Sequence, residues 1–424
     1  MIAVDLLIRN IRQLVNPAGD GPVRGRAMNS LRVLENVWLG AKGEIINFIG
    51  YERDFNEHCR LDGEAQVVDG TDFVALPGFV DPHTHLPFAG SRQDEFQQTL
   101  LGVAYQEIAA RGGGIRKTVQ QTRDIGAKEL IALCDQRLDT MLLNGTTTVE
   151  AKSGYGLDRD TEIKQLETLQ VLNAFHPLGI VPTFMGAHDI PDGSGSKEYL
   201  DFVLSEVLPE VRRRDLAEFV DIFCEEGYFS VPEAGDYLAA AAEEGFKLKV
   251  HADEFVSNGG AAMAAQKRAV SAEHLIAATD EELDILAPSH TSCVLLPGVS
   301  FFLRLGKYAP ARKIIERNGI LALGTDMNPG SSMISSQLFI FWLGIFELGL
   351  SIEEALNSVT INAAYAVSRE QSVGSIAVGK KMDVLLMDIP DYRYLAYHPG
   401  IHPVHTVFKS GELVVRANRI VYKE

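Results

Sequence analysis

Two histidines one residue apart follow a short apolar run in FVDPHTH, residues 79–85. Residues two apart on a β-strand point to the same face, so a strand here would project His83 and His85 together. Two neutral imidazoles that converge on one point can bind a metal ion. The HxH pair alone is a weak signal because short motifs match by chance, and the rest of the chain must supply further ligands.

Other side chains able to do chemistry stand at the ends of later strand-like runs. They are Glu150, Lys152 and Tyr155, then His188, Glu225 and Glu226, then His251, Asp253 and Glu254, and finally His274, Asp326 and Asn328. Of the 11 histidines, those at positions 83, 85, 188, 251 and 274 fall at such ends. Ordinary surface histidines would not be sorted in this way, so a common site is indicated.

His83, His85, His251 and Asp326 together provide three imidazoles and one carboxylate. Such a set leaves a position for water, as in catalytic zinc sites. Imidazole and carboxylate suit either zinc or iron, and the sequence does not separate the two metals. The pattern predicts one divalent or trivalent ion per subunit, because the fourth run ends in glutamates rather than a bridging lysine. Lys152, on the second run, is expected to form a structural ion pair.

Apolar strand-like runs alternate with amphipathic helical stretches through the middle of the chain. Eight alternations over about 290 residues match an α/β fold of the (β/α)8 or TIM barrel type, in which chemistry sits at the C-terminal ends of the strands. An open doubly wound sheet is the alternative, and it is disfavoured because no GxGxxG follows a strand. The glycines at 112–114 lack the Lys-Ser/Thr of a P-loop, which favours a flexible loop.

Both ends of the chain have short runs of alternating apolar and polar residues, such as VWLGAKGEIINFIG and GSIAVGKKMDVLLMDI. This alternation is typical of strands. The pattern predicts a small composite β-sandwich domain built from residues 1–76 and 374–424. The barrel is expected to span residues 77–373.

Composition excludes several classes of protein. The chain has 424 residues and a formal charge of −18, with no basic block, which argues against nucleic acid and anionic membranes as partners. No apolar run has the length of a membrane span, and the first 15 residues lack a signal-peptide core, so we expect a cytoplasmic location. The four cysteines have no CxxC spacing and are predicted to be buried thiols. An anionic substrate would need a local cation.

The order of these residues along the chain resembles that of the amidohydrolase superfamily. It places HxH on the first strand, His251 on the fifth, His274 on the sixth and Asp326 on the eighth. Within it, nearly the whole chain is similar to the imidazolonepropionase family. The resemblance is carried by PGFVDPHTHLPFAGSRQDEF, AKSGYGL, TFMGAHDIP, KVHADEF, SAEHL and LGTDMNPGSS. AKSGYGL and GTDMNPG are specific to that family rather than shared by the superfamily.

The resemblance implies a metal-dependent cyclic amide hydrolase that opens 4-imidazolone-5-propanoate to N-formimidoyl-L-glutamate in histidine degradation. A metal lowers the pKa of a bound water, so hydroxide is available to attack the ring carbonyl. His274 would act as the base or polarise the carbonyl, and Asp326 would both ligate and shuttle a proton. Glu254 would contact the ring nitrogen and help to expel it.

The resemblance also implies the substrate contacts. They are Arg92, Tyr155, His188, Glu254, Asn328, Gly330 and Ser331. Arg92 would hold the propionate, since its planar fork suits a carboxylate, although a surface ion pair with Asp94 or Glu95 is the alternative. Tyr105 lies farther from the ligand pattern and is left out of the site.

Two other functions remain open for the sequence. A related mononuclear amidohydrolase that deaminates a heterocycle would share the metal ligands, but Arg92, Tyr155 and GTDMNPG argue against it. A non-catalytic barrel would be expected to lack part of the catalytic set, and no part is missing. The apolar stretch at 341–351 is expected to be the eighth barrel helix or an oligomer contact, and we expect a homodimer.

Overall fold

The computed structural model describes residues 1–19, 21–103 and 113–423. Its strands are β1 Ile2–Pro17, β2 Leu31–Lys42, β3 Ile45–Gly50, β4 Cys59–Asp69, β5 Val74–Pro77, β6 Phe79–Asp81, β7 Thr146–Lys152, β8 Gly179–Ala187, β9 Phe219–Cys224, β10 Lys247–Ala252, β11 Ser271–His274, β12 Ser292–Leu295, β13 Leu321–Leu323, β14 Val384–Met387, β15 Val404–Lys409, β16 Glu412–Arg416 and β17 Arg419–Ile420.

The helices between these strands are numbered over the same described residues. They are α1 Glu52–His58, α2 Gln93–Leu100, α3 Ile115–Asp124, α4 Ala127–Leu143, α5 Arg159–Phe175, α6 Ser196–Phe202, α7 Leu208–Arg213, α8 Val231–Glu243, α9 Gly260–Gln266, α10 Asp280–Leu286, α11 Pro297–Phe302, α12 Ala311–Glu316, α13 Gln337–Phe346, α14 Ile352–Ser358, α15 Ile361–Ala366 and α16 Tyr394–Tyr397. A 3-10 turn covers Gly25–Asn29, and a π-helical turn, Val203–Val207, joins α6 to α7.

Strands β6 to β13 form a parallel sheet in sequence order, as predicted for a barrel. The barrel closes between its first and last strands, where the backbone N–H of Asp326 donates to the carbonyl of His83 at 3.0 Å. The N–H of His85 likewise donates to the carbonyl of Met327 at 3.0 Å. Strands such as β7 are buried along their whole length, as expected where helices cover one face and the barrel interior the other. This closure brings the ends of β6 and β13 together.

Strands from both termini form one mixed sheet, in the order β17-β16-β15-β14-β5-β1-β2-β3, with β4 also paired to β1. The composite domain predicted from the two β-rich ends is therefore present. Its strands are hydrogen-bonded into a single sheet within the described residues. Apolar side chains such as Leu6 and Leu7, adjacent on β1, are buried in different clusters, so both faces of the sheet are covered.

The apolar stretch at 341–351 lies mostly in α13. Phe341, Trp342 and Leu343 are buried, which identifies this segment as a barrel helix, whereas Phe346 at its end is 60% exposed. All four cysteines are buried free thiols, as predicted. No helix of the described chain combines the length and the apolar character needed to cross a bilayer.

Candidate active site

Four donor atoms meet where the first, fifth and eighth barrel strands end. Nε2 of His251 lies 3.4 Å from Nε2 of His85. Oδ1 of Asp326 lies 3.3 Å from Nε2 of His83 and 3.4 Å from Nε2 of His85. All four side chains are almost fully buried. The structure therefore brings together the four residues that the sequence analysis selected as metal ligands.

The spacing of these atoms fits a metal ion. Ligand atoms about 2.05 Å from a tetrahedral metal lie about 3.3–3.4 Å from one another. Nε2 of His83 and Oδ1 of Asp326 are buried and make no hydrogen bond within the described residues. Buried polar atoms without partners are costly, and a cation between them would remove that cost. The donor set thus suits a divalent transition metal.

Two carboxylates hold the opposite nitrogens of the histidines. Nδ1 of His83 lies 2.5 Å from Oε2 of Glu273, and Nδ1 of His251 lies 3.0 Å from Oδ2 of Asp221. A carboxylate on Nδ1 fixes the tautomer in which Nε2 faces the metal and makes the imidazole a stronger donor. Glu273 and Asp221 therefore set the orientation of two of the predicted ligands.

Lys152 connects these carboxylates beneath the site. Its ammonium lies 2.7 Å from Glu150, 2.8 Å from Asp221 and 3.2 Å from Glu273, and all these side chains are fully buried. Burial opposes its charge, but the three carboxylates outweigh burial and raise the pKa of Lys152 well above its usual range. Lys249 also pairs with Glu273, at 3.0 Å. Lys152 is the ion-pair partner that the sequence analysis expected.

Asp81 ties the end of β13 to the end of β6. Its carboxylate accepts hydrogen bonds from the backbone N–H of Thr325 at 3.0 Å and from the Thr325 hydroxyl at 2.6 Å. Burial raises the pKa of Asp81 to about 7, against the opposing effect of these bonds. Asp81 therefore fixes the backbone immediately before Asp326.

The backbone is strained at several residues of this region. Asp253, His274 and Asp326 have φ values of 52°, 71° and 50°, in the left-handed region that residues other than glycine rarely adopt. Such strain persists only where the surrounding structure enforces it, and it clusters at functional sites. The strain at Asp326 and His274 thus falls at two positions that the sequence analysis chose as site residues.

His274 and Glu254 lie side by side beside the ligands. Nε2 of His274 lies 3.6 Å from Oε2 of Glu254. Burial lowers the pKa of His274 to about 4, so its ring is neutral at pH 7 and can accept a proton. Burial, reinforced by the carboxylates of Asp326 and Glu225, raises the pKa of Glu254 well above its usual range. A neutral imidazole thus lies beside a carboxyl group whose protonated form is favoured by burial.

Glu225 organises the loop that carries Glu254. Its Oε2 accepts hydrogen bonds from the backbone N–H groups of Glu254 at 2.9 Å and Phe255 at 3.0 Å. Its Oε1 accepts from the N–H of Val256 at 3.2 Å. Glu225 is therefore a positioning residue rather than a ligand.

His188 and Tyr155 extend the site from the ligand cluster. The ring of His188 stacks on His85 with a centroid distance of 4.8 Å, and Tyr155 lies edge-on to His188 at 5.2 Å. Nδ1 of His188 lies 3.0 Å from the carbonyl oxygen of Gly154. Burial, with a smaller effect of His85, lowers the pKa of His188 to about 3. His188 is therefore neutral, with Nδ1–H donating to Gly154 and Nε2 available as an acceptor.

Arg92 approaches the loop that follows Asp326. Its Nε donates to Oε2 of Glu95 at 2.8 Å, which is the ion pair weighed as the alternative role for Arg92. Its Nη1 lies against Gly330, where any Cβ would collide with it. A side chain at 330 would therefore displace the guanidinium of Arg92 from this position. The ion pair and a substrate contact are compatible, because they use different edges of the guanidinium.

Asn328 uses its amide to order its own loop. Its nitrogen donates to the carbonyl of Asp326 at 2.7 Å, and its oxygen accepts from the backbone N–H groups of Gly330 and Ser331 at 2.8 Å each. The amide nitrogen also lies 2.8 Å from the hydroxyl of Ser331. The amide of Asn328 is therefore engaged inside the loop, where it holds the turn at Gly330 and Ser331.

Sequence analysis missed Glu273, Asp221, Lys249 and Asp81 as parts of the site. Each is a charged residue within a short strand that is otherwise largely buried, and this break in the apolar pattern could have been used to find it.

Tyr105 and Gly112 lie outside the described residues. A separate group of possible ligands, Asp135, Asp139 and His176, has the ammonium of Lys423 2.7 Å from both of its carboxylates, so a cation already lies there.

Comparison with known proteins places this geometry in a family. The model of the amidohydrolase family matches residues 74–414. The imidazolonepropionase of Alkaliphilus metalliredigens is 44% identical over 423 residues, covering 99% of this chain and 100% of its own length. That of Symbiobacterium thermophilum is 46% identical over 423 residues, covering 99% of each chain.

Solved structures show the same fold at low identity. A triazine hydrolase variant has a TM-score of 0.74 at 15% identity and covers 98% of this chain and 96% of its own. An adenosine deaminase from Xanthomonas campestris with bound zinc has a TM-score of 0.71 at 20% identity, covering 99% of this chain and 95% of its own. The full-length relatives and the family match together lead to one conclusion: the chain belongs to the amidohydrolase family and, within it, to the imidazolonepropionases.

Proposed function

We propose that this protein hydrolyses the ring amide of 4-imidazolone-5-propanoate to give N-formimidoyl-L-glutamate. The observation that carries the proposal is the buried cluster of three Nε2 atoms and one Oδ1 atom, with neighbouring donor atoms 3.3–3.4 Å apart, in a chain that matches imidazolonepropionases over its full length. In the reaction, water oxygen bonds to the ring carbonyl carbon and the adjacent ring C–N bond breaks. The nitrogen takes up a proton as it leaves.

His83, His85, His251 and Asp326 would hold the metal ion. A bound divalent metal lowers the pKa of water and polarises a carbonyl. Burial opposes the ionised form of Asp326, but the adjacent imidazoles of His83 and His85 outweigh it and hold the pKa of Asp326 well below its usual range. Asp326 therefore stays an anionic ligand, and its part in proton transfer is second to that of His274.

His274 is the proposed base for the attacking water. Its neutral ring accepts the proton at pH 7, since burial lowers its pKa to about 4. Glu254 is the proposed acid, because its raised pKa favours the protonated carboxyl beside the site. That proton goes to the departing ring nitrogen. The neighbouring pair can thus supply both proton transfers that the balanced reaction needs.

Substrate recognition is assigned to the residues around this pair. Arg92 binds the propionate with its Nη edge, and the Gly330–Ser331 turn covers that contact. Tyr155 and the stacked ring of His188 pack against the imidazolone ring. Asn328 acts by holding the turn.

The competing function is a heterocycle deaminase with the same metal ligands. It would release ammonia, whereas ring opening of the imidazolone releases none. Purified protein incubated with 4-imidazolone-5-propanoate should consume the ring and form formimidoylglutamate without ammonia. If only aminated heterocycles react, the deaminase assignment replaces this one.

Four further features are also proposals. The metal is zinc or iron, to be decided by elemental analysis of protein purified without added metal. The domains are residues 1–76 with 374–424 and residues 77–373, to be tested by limited proteolysis. We propose a homodimer, which sedimentation tests, and a cytoplasmic location, which cell fractionation tests.

A further inference from the structure

Glu95 joins two segments that flank the proposed carboxylate site. It lies in the first turn of α2 and is 7% exposed. Its Oε2 accepts hydrogen bonds from Nε of Arg92 at 2.8 Å and from the backbone N–H of Gly114 at 3.0 Å. One oxygen thus fixes both the guanidinium and the residue that precedes helix α3.

These contacts decide which edge of Arg92 is available. A guanidinium has five N–H donors in a rigid fork. With Nε held by Glu95, the Nη side faces Gly330, whose missing Cβ leaves room for Nη1. A long arginine side chain otherwise has many rotamers, and holding one of them costs free energy. The bond to Glu95 meets that cost before substrate binds.

The charges also match a ligand with one carboxylate. Lys117 places its ammonium 3.7 Å from Oε1 of Glu95, and Oε1 makes no hydrogen bond within the described chain. Arg92, Lys117 and Glu95 together carry a net charge of one positive unit. The group therefore remains positive and attracts a carboxylate whether or not Glu95 carries its charge.

We infer that Glu95 is a positioning residue that sets specificity for a substrate carboxylate by holding Arg92 through its Nε edge. This inference rests on the proposed function, in which Arg92 binds the propionate. It assigns to Glu95 the role of an orienting acceptor, whose geometry matters more than its charge.

Two conservative variants separate geometry from charge. Glu95→Asp keeps the charge but withdraws the carboxylate by one methylene group, so it cannot reach both donors. Glu95→Gln keeps an acceptor oxygen in place and removes the charge. Asp94→Asn is the matched control, because Asp94 is the neighbouring carboxylate on the same helix and is exposed.

Each variant is assayed with the imidazolone propionate and with an imidazolone that carries an uncharged propyl group. Glu95→Asp should raise KM for the propionate about tenfold, equivalent to about 1.4 kcal/mol, with kcat nearly unchanged. Its KM for the propyl compound should stay at the wild-type value. Glu95→Gln and Asp94→Asn should keep both KM values within about threefold of wild type.

Three results would overturn the inference. They are a wild-type KM in Glu95→Asp, an equal rise for both substrates in Glu95→Asp, and a Glu95→Gln variant as impaired as Glu95→Asp. Circular dichroism and the dissociation constant of imidazole-4-propionate, measured by calorimetry, apply to any variant too slow to assay. Arg92→Ala separates this inference from the proposed function. If Arg92→Ala raises KM equally for both substrates, Arg92 does not bind the propionate and the proposed function loses that contact. If Arg92→Ala raises KM only for the propionate and Glu95→Asp does not, the role of Glu95 alone is refuted.

Discussion

Nδ1 of His83 lies 2.5 Å from Oε2 of Glu273, and neither side chain is exposed. Glu273 precedes His274 in the chain, so one short strand provides both a support for a metal ligand and the proposed base. The two residues point to opposite faces of a regular strand. The positive φ of 71° at His274 departs from that geometry and returns its ring to the site.

Glu273→Gln should weaken metal binding. A carboxylate that orients a ligating histidine typically contributes 10- to 100-fold in metal affinity, and we expect a loss in about that range. Competition with a chromogenic chelator measures it. Glu254→Gln is the matched control, since Glu254 is also a buried carboxyl near the site and contacts none of the predicted ligands through their Nδ1 atoms. Equal metal affinities in the two variants would contradict the role of Glu273.

Lys152→Met should destabilise the fold. It leaves the carboxylates of Glu150, Asp221 and Glu273 with one fewer buried cation, and breaking a buried pair costs about 3–5 kcal/mol. Urea unfolding measures this change in the free energy of unfolding. The control is Lys423→Met, which also removes an ammonium from two carboxylates but whose side chain is 40% exposed, so its loss should be about 1 kcal/mol or less. A similarly small loss of unfolding free energy in Lys152→Met would contradict this prediction and would show that water or a rearrangement stabilises the three carboxylates.

His274→Asn should remove the proposed base while leaving the metal ligands in place. We expect kcat to fall on the order of 100-fold or more, with metal content near that of wild type. His290→Asn, on an exposed histidine outside the site, should leave kcat unchanged. If His274→Asn keeps kcat within a few-fold of wild type, proton abstraction passes to Asp326.

The protonation of Glu254 should determine how kcat changes on the alkaline side of the pH profile. Its pKa is raised, so the acid form is present at lower pH and is lost as the pH rises through the folded-state value. An acid that must donate a proton therefore makes kcat fall at high pH. Glu254→Gln should lower kcat and remove this alkaline limb. An unchanged limb in the variant would assign it to another group.

Residue type and spacing in the sequence were sufficient to predict the barrel and to select the four side chains that cluster at its strand ends. His83 and His85 stand two apart, but β6 ends at Asp81, so they converge from the segment just beyond the strand rather than from the strand that the spacing predicted. Glu273 could not be paired with His83 in the same way, because that contact depends on which strands are neighbours and in what register. Across the sheet, His251 is paired with Glu273, a relationship that no local pattern contains.

The burial of Arg92 was not predictable from the sequence, which left open whether its ion pair with Glu95 lies at the surface. An ion pair with Glu95 was weighed as a surface contact, and the structure shows that pair with side chains only 11% and 9% exposed. The order of strands in the terminal sheet was also beyond the sequence, since it joins segments more than 300 residues apart. Long-range pairing is decided by packing of the whole chain rather than by local alternation.

The oxygen that enters the product tests the central claim most directly. Wild-type protein is incubated with 4-imidazolone-5-propanoate in water enriched in heavy oxygen, and the product is analysed by mass spectrometry. Ring opening by water predicts formimidoylglutamate with one heavy oxygen in the carboxylate derived from the ring carbonyl, and no ammonia. Unlabelled product, or an intact imidazolone together with ammonia release from an aminated heterocycle, would contradict the proposed reaction.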